Sequence, residues 1–246
     1  MVHYNTDDFQ KKSRIFEIDL SEEQIQKFMD YYELLVEWNS FMNLTAITDF
    51  DEVILKHFVD SLAVFQVSAF REKVKSGEIS LIDIGTGAGF PGIPLKIVFP
   101  DMKVTLLDSL NKRIKFLDTV IEKLDLKNIE TVHGRAEDLA GKKDYREQYD
   151  FCVSRAVANL STLTELCIPF VKNGGYFISY KSEKVKEELS AGKRAVEILG
   201  GNILDIFEYQ LPDSDMSRNL LLIKKEKNTP KKYPRKAGTP AREPLS

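Results

Sequence analysis

The chain has 246 residues, of which 43% are apolar and 30% charged, enough to bury a sizeable core as a main domain with an appendage. A formal net charge of -3 excludes a protein coated in basic surface, but eight Lys or Arg face only Glu226 and Glu243 from Lys224 onward, so contacts with polyanions are expected to be local. No apolar stretch is long enough to cross a bilayer and Met1 to Asp8 holds no signal-like apolar run, which predicts a cytoplasmic chain.

In chain order, residues 5–17 are expected to form a short helix. Ser21-Glu22-Glu23-Gln24 then reads as a capping box, in which Ser21 and Gln24 satisfy each other's backbone donors. The stripe Ile25, Phe28, Met29, Tyr32, Leu35 and Val36 follows at helical spacing. The pattern breaks over 39–48 and resumes as one helix over 52–67. These helices precede any strand and predict a helical lobe over 1–79 packed on an α/β domain over 80–226.

From there β and α alternate. Strands are expected at 81–84, 104–108, 129–133, 151–154 and 176–180, with helices at 91–99, 112–124, 160–171 and 184–199. Such alternation means a mostly parallel sheet covered by helices on both faces. Two last strands, 203–209 and 219–225, flank Pro212-Asp213-Ser214-Asp215 with no helix between them and predict an antiparallel hairpin at the sheet edge. Residues 227–246 form a basic tail with Pro230, Pro234, Pro240 and Pro244, expected to be extended or loosely docked. Cys152 and Cys167 show neither metal-ligand spacing nor a Cys-x-x-Cys pair and read as buried structural thiols.

The most informative stretch is Leu81-Ile-Asp-Ile-Gly-Thr-Gly-Ala-Gly89, followed by Phe90-Pro91-Gly92. A β-branched run that ends in glycines before a helix lets a ligand approach backbone N–H groups at a strand's carboxyl end. As a pattern it is ambiguous. Gly87, Gly89 and Gly92 satisfy the dinucleotide fingerprint of a nicotinamide-dependent oxidoreductase. Gly85, Gly87 and Gly89 satisfy the G-x-G-x-G of enzymes that use S-adenosylmethionine. Asp83 favours the second, because a carboxylate beside the loop repels a pyrophosphate but suits an ammonium group. Asp108, at the next strand end, lies where a ribose-binding acid is expected.

Together with Asp108-Ser109, Gly134-Arg135-Ala136-Glu137 and Ser154-Arg155-Ala156, the loop resembles that of the bacterial small-subunit ribosomal RNA guanine-N7 methyltransferases, the family once called glucose-inhibited division protein B. Trp38-Asn39, Asn43-Leu44-Thr45, the segment from His57 to Leu62 and that from Thr229 to Lys236 resemble the family's terminal signatures, so the resemblance spans nearly the whole chain. It implies a class I S-adenosylmethionine-dependent methyltransferase fold, Rossmann-like and seven-stranded, acting as a monomer on 16S ribosomal RNA or a small-subunit precursor without a metal. Residue by residue, it places the cofactor's methionine part against Gly85 and Phe90, its ribose near Asp108 and Ser109, and its adenine near Ala136 and Glu137. Arg155 matches a further cofactor-site position. One departure is visible: Lys181 is followed by Ser182, where the family often has glycine.

Guanine N7 already carries an in-plane lone pair, so no general base is expected and catalysis reduces to alignment. Arg155, Lys181, Lys112 and Arg113 are the candidate contacts to the RNA target, which is expected to be an unpaired loop base. His57, Asp60 and Ser61 fall on one helix face and read as a satisfied polar patch rather than a hydrolase trio. A non-catalytic RNA-binding protein remains the alternative from another class.

Overall fold

The computed structural model describes residues 4, 6–77, 79–155, 158–182 and 185–245. Met1, Asn5, Ala156, Lys184 and Ser246, used in the sequence reading, lie outside them.

Seven strands form one sheet in the order β3-β2-β1-β4-β5-β7-β6: β1 (Ser80–Ile84), β2 (Lys103–Asp108), β3 (Ile129–His133), β4 (Tyr149–Ser154), β5 (Val171–Ser182), β6 (Gly201–Gln210) and β7 (Ser217–Lys225). All pairs are parallel except β5 with β7 and β6 with β7, which makes the predicted edge hairpin. The central strands alternate strictly between two cores. Leu81, Leu106, Phe151, Val153 and Leu220 point to one. Ile82, Leu107, Cys152 and Leu221 point to the other. A period of two on strands buried from both sides explains their continuous apolar runs. Cys152 and Cys167 are free and buried, as their contexts predict.

Helices α6 (Gly92–Val98) and α7 (Asn111–Lys123) share the first core with the N-terminal helices α1 (Thr6–Arg14) and α2 (Glu22–Met42). This core is continuous: Phe9 and Phe28 on the lobe belong to the same buried cluster as Leu81 and Leu106 on the sheet. The Ser21 capping box starts α2 as predicted, and Gln24 also donates to the carbonyls of Ile97 and Val98 at 3.1 Å, which ties α2 to the end of α6. Trp38, half-buried on α2, meets Phe116 of α7 at 5.7 Å. Helices α8 (Ala136–Leu139), α9 (Leu160–Cys167) and α10 (Val185–Ile198) cover the other face.

Two expectations need correction. The single helix over 52–67 is instead α3 (Phe50–Val53), a π-helical turn (Ile54–Val59), α4 (Asp60–Leu62) and a 3-10 turn (Ala63–Gln66), followed by α5 (Ser68–Lys75). The widened turn changes the angular register, and such π-turns concentrate at functional sites. Nor is the C-terminal tail loosely docked. Tyr233 is buried in the second core, and a short helix α11 (Thr239–Arg242) ends the segment. Arg146 donates to the carbonyls of Tyr233 at 2.9 Å and Thr229 at 2.7 Å, so a buried side chain and a guanidinium hold what composition suggested was free.

Candidate functional site

Two cavities open at the carboxyl ends of β1, β2 and β4, the ligand side of an open α/β sheet. The first, about 390 Å³, is lined by Gly85, Asp108, Ser109, Gly134, Arg135, Ala136, Glu137, Leu166 and Gly238 among others. The second, about 830 Å³, is lined by Thr45, Lys56, His57, Asp60, Gly87, Phe90, Arg155, Tyr180, Lys181, Glu188, Tyr209 and Arg218 among others. Gly85 and Arg113 border both, so the spaces meet at the glycine loop.

The four glycines divide into two jobs. Gly85 (φ +71°) and Gly87 (φ +64°) adopt the left-handed conformation; a Cβ on Gly85 would face open space and one on Gly87 would meet only the Gly85 carbonyl, at 4.0 Å. Gly89 and Gly92 are packing positions. A Cβ on Gly89 would lie 2.6 Å from Ile93 Cδ1 and 2.7 Å from the Tyr31 hydroxyl, and one on Gly92 would lie 2.4 Å from Leu106 Cδ2. The dinucleotide pattern needs Gly89 against a pyrophosphate, but here it lies against protein. The geometry therefore selects the Gly85 and Gly87 reading.

Asp83 does not line either cavity. It is fully buried, its Oδ2 accepts from Thr86 Oγ1 at 2.7 Å and from Gly92 N at 2.9 Å, and its Oδ1 has no partner among the described residues. Burial pushes its pKa up to about 6, against the pull of the Thr86 and Gly92 hydrogen bonds. Asp83 is thus an internal pin that shapes the loop, rather than a residue of the cavity wall. Tyr31 adds a second pin from the lobe by donating to the Ala88 carbonyl.

Asp108 sits where expected, at the end of β2 in the first cavity. Its Oδ2 accepts from Gly87 N at 3.0 Å and Arg113 Nη1 at 3.1 Å, and its Oδ1 from Leu110 N at 2.9 Å. A carboxylate has about four acceptor positions, so capacity for ribose remains. Ser109, Ala136 and Glu137 line the same cavity, but Glu137 Oε1 also accepts from Gly238 N at 2.9 Å. These small and acidic groups suit an adenosine, and Gly85 and Phe90 lie toward the second cavity.

In the second cavity Arg155 is the hub. Its Nη1 donates to Asp60 Oδ2 and the Lys56 carbonyl, both at 3.0 Å, its Nη2 lies 3.2 Å from His57 Nδ1, and its guanidinium carbon stands 5.0 Å above the Phe90 ring. His57 stacks on Phe90 at 4.6 Å, and its Nε2 lies 3.0 Å from Thr45 Oγ1. Burial and then the Arg155 charge pull its pKa down to about 3, so the imidazole is neutral near pH 7. Asp60 accepts from Tyr209 Oη at 2.8 Å as well, and Ser61 Oγ donates to the His57 carbonyl at 2.5 Å. The polar-patch reading holds for Ser61, while Asp60 and His57 reach the cavity.

Lys181 lines this cavity, paired with Glu188 Oε2 and the Ala158 carbonyl, each at 2.8 Å. Lys112 lines neither cavity and donates to the Met42 carbonyl at 3.3 Å. Sequence reasoning missed Tyr209, Arg218 and Glu188, which reach the second cavity from the β6–β7 hairpin and α10, and Leu166 and Gly238 in the first. Only the fold brings these together. Among the described residues, no group of three or more His, Cys, Asp and Glu is placed to hold a metal.

The sequence profile of a family described as rRNA small subunit methyltransferase G, GidB, matches residues 24–218. The ribosomal RNA small subunit methyltransferase G of Lachnoclostridium phytofermentans is 57% identical over 228 residues, covering 93% of this chain and 92% of that protein. The protein of the same description from Acetivibrio thermocellus is 56% identical over 231 residues, 94% and 93% of the two chains. Among solved structures, a variant of the 16S rRNA (adenine(1408)-N(1))-methyltransferase from Catenulisporales acidiphilia, with cosubstrate SAM, is similar at a TM-score of 0.51 and 13% identity. The match covers 65% of this chain and 91% of that one, a likeness of fold.

Proposed function

The chain belongs to the rRNA small subunit methyltransferase G family, and from that premise we propose that it transfers a methyl group from S-adenosylmethionine to N7 of a guanine in 16S ribosomal RNA, in the cytoplasm. The observation that carries this reading is the meeting of the two cavities at Gly85 and Arg113. One is built for an adenosine. The other is wide enough for a base and is lined by Lys56, Arg113, Arg155, Lys181 and Arg218 against the carboxylates of Asp60 and Glu188, which suits a nucleotide with its phosphates.

S-adenosylmethionine supplies an electrophilic methyl group when bound. The chain's own work is then positional. Asp83 and Tyr31 hold the glycine loop, Asp108 holds Gly87, and Phe90 with neutral His57 forms a stacked wall of the second cavity. No side chain has to remove a proton from N7, and alignment of two bound reactants lowers a barrier by several kcal/mol without further groups. A base still stacked in an RNA helix hides N7 in the deep major groove, so the cavity fits a splayed nucleotide. Exposed Phe41, at 65% of its surface, and Lys112 next to Met42 extend an RNA-facing rim from the lobe.

Family membership removes the nicotinamide-dependent alternative, and the packed Gly89 agrees. The test is direct. Ribosomal RNA from cells lacking the protein should lose one N7-methylguanosine by mass spectrometry, and the purified protein with S-adenosylmethionine should restore it. Methylation of another atom, or unchanged RNA, sinks the proposal; saturable RNA binding with no methyl transfer would support the non-catalytic reading.

A further inference from the structure

The C-terminal segment reaches the first cavity through Gly238, which lines it beside Ala136 and Glu137. Its anchoring is interior rather than superficial. Glu165 on α9 is a carboxylate with no exposure, and Arg235 satisfies it with four hydrogen bonds: backbone N to Oε1 at 2.8 Å, Nε to Oε1 at 2.9 Å and to Oε2 at 3.1 Å, and Nη2 to Oε2 at 2.6 Å. Undocking the segment would strand a buried charge, so the docked state is strongly favoured. From that anchor the chain continues to Gly238, whose N–H binds Glu137 Oε1 and whose φ of +81° turns it into α11. Thr162 Oγ1 then donates to the Pro240 carbonyl at 3.0 Å.

A tail that served only to solubilise the chain or to touch phosphates would have no use for an arginine committed to the interior or a glycine in a cavity wall. We infer that residues 237–242 are a built part of the cofactor pocket: held by Arg235 on Glu165, they close its adenine end and fix Glu137, and so raise affinity for the adenosyl moiety. This rests on the assignment of the first cavity to S-adenosylmethionine. Because linkage is reciprocal, a segment that favours the ligand must itself be held more firmly when the ligand is bound.

Two measurements test it. Calorimetry would compare the intact chain with a chain ending at Lys236, which keeps Tyr233 and Arg235, using S-adenosylmethionine and 5'-methylthioadenosine, the latter lacking the amino-acid end. Both ligands should bind the shortened chain roughly tenfold more weakly, with circular dichroism and melting confirming its fold. In the intact chain, S-adenosylmethionine should slow amide hydrogen exchange at Gly238, Arg242 and Glu243, and this readout decides the matter if the shortened chain does not fold. Tight binding by the intact chain, equal affinity in a folded shortened chain and unchanged exchange would overturn the inference alone. No S-adenosylmethionine binding by the intact chain would overturn it together with the assignment beneath it.

Discussion

Arg155 and Asp60 meet at 3.0 Å although 95 residues separate them in sequence, one at the end of β4 and the other just past the π-helical turn of the lobe. Their side chains are 18% and 5% exposed, so the pair is largely desolvated. Arg155→Ala would leave the Asp60 carboxylate with Tyr209 and a distant Arg218 at 3.9 Å. A loss of about 3 kcal/mol is expected, the low end for breaking a buried pair because these partners remain. Denaturant unfolding of Arg155→Ala, Asp60→Asn and the double variant checks this. The double should recover part of the loss, and strict additivity would show that the pair is not coupled.

Asp108→Ala is expected to weaken S-adenosylmethionine binding by about tenfold to a hundredfold, the worth of charge-assisted hydrogen bonds of roughly 1.5–3 kcal/mol. The same change frees Gly87 N and Leu110 N and releases Arg113, so part of the loss comes from a loosened loop. Asp108→Asn, which keeps one carbonyl acceptor, should fall between wild type and alanine by calorimetry. Unchanged affinity in a folded alanine variant would remove Asp108 from the pocket.

The two kinds of glycine should fail in different assays. Gly89→Ala forces a Cβ into Ile93 and Tyr31 at φ +99° and is expected to cost a few kcal/mol of stability. At Gly85 an added Cβ meets no protein atom within 4 Å, so Gly85→Val costs mainly about 1–3 kcal/mol of backbone strain at φ +71° and should abolish cofactor binding by filling the space at the junction. Thermal melts set beside calorimetry separate them; a Gly85→Val protein that still binds S-adenosylmethionine contradicts the layout.

Acid should act on the fold through His57. The imidazole is held neutral down to about pH 3 when folded, against an ordinary value of 6.5, so between those limits the unfolded chain carries more protons and stability falls as pH drops. Asp83, raised to about 6 from 3.8, has the opposite sign: the folded state keeps a proton the unfolded state has lost, and stability falls as pH rises through that window. Replacing His57 by Phe, which keeps a ring against Phe90, should flatten the acid limb by up to about 1.4 kcal/mol per pH unit. Urea titrations at pH 5 and pH 7 measure this, and an equally steep loss in the variant would mean that the imidazole is protonated in the fold.

The sheet was legible because its strands obey a local rule. Residues 129–133 were located to the residue, and β1, β2 and β4 to within two, since β3 alternates before a glycine and the others are short, largely apolar runs ending in a turn or an acid, whereas β5 begins at Val171, five residues before its expected start. The π-helical turn was not legible, because 52–67 keeps an apolar helical pattern even where one turn widens. The burial of Asp83 was not legible for a related reason: sequence puts an acid beside the glycines but does not say that it turns inward to Thr86 and Gly92. The tail was misread because six cations and four prolines over residues 227–246 are the composition of a free end. One sign was available: Glu165 is the one charge in an otherwise uncharged helix and needs a cation from somewhere, but a partner 70 residues away leaves no mark on either local pattern.

The uninterrupted first core makes the lobe and the sheet a single cooperative unit, since Phe9 and Phe28 have no apolar interior of their own apart from the one they share with Leu81 and Leu106. The chain's only tryptophan happens to report on that seam, with Trp38 of α2 packed on Phe116 of α7. Its emission should therefore shift at the same denaturant concentration at which far-ultraviolet ellipticity is lost from the sheet and its covering helices. Two separated midpoints would mean that the lobe comes away first and can open while the nucleotide-binding half stays folded.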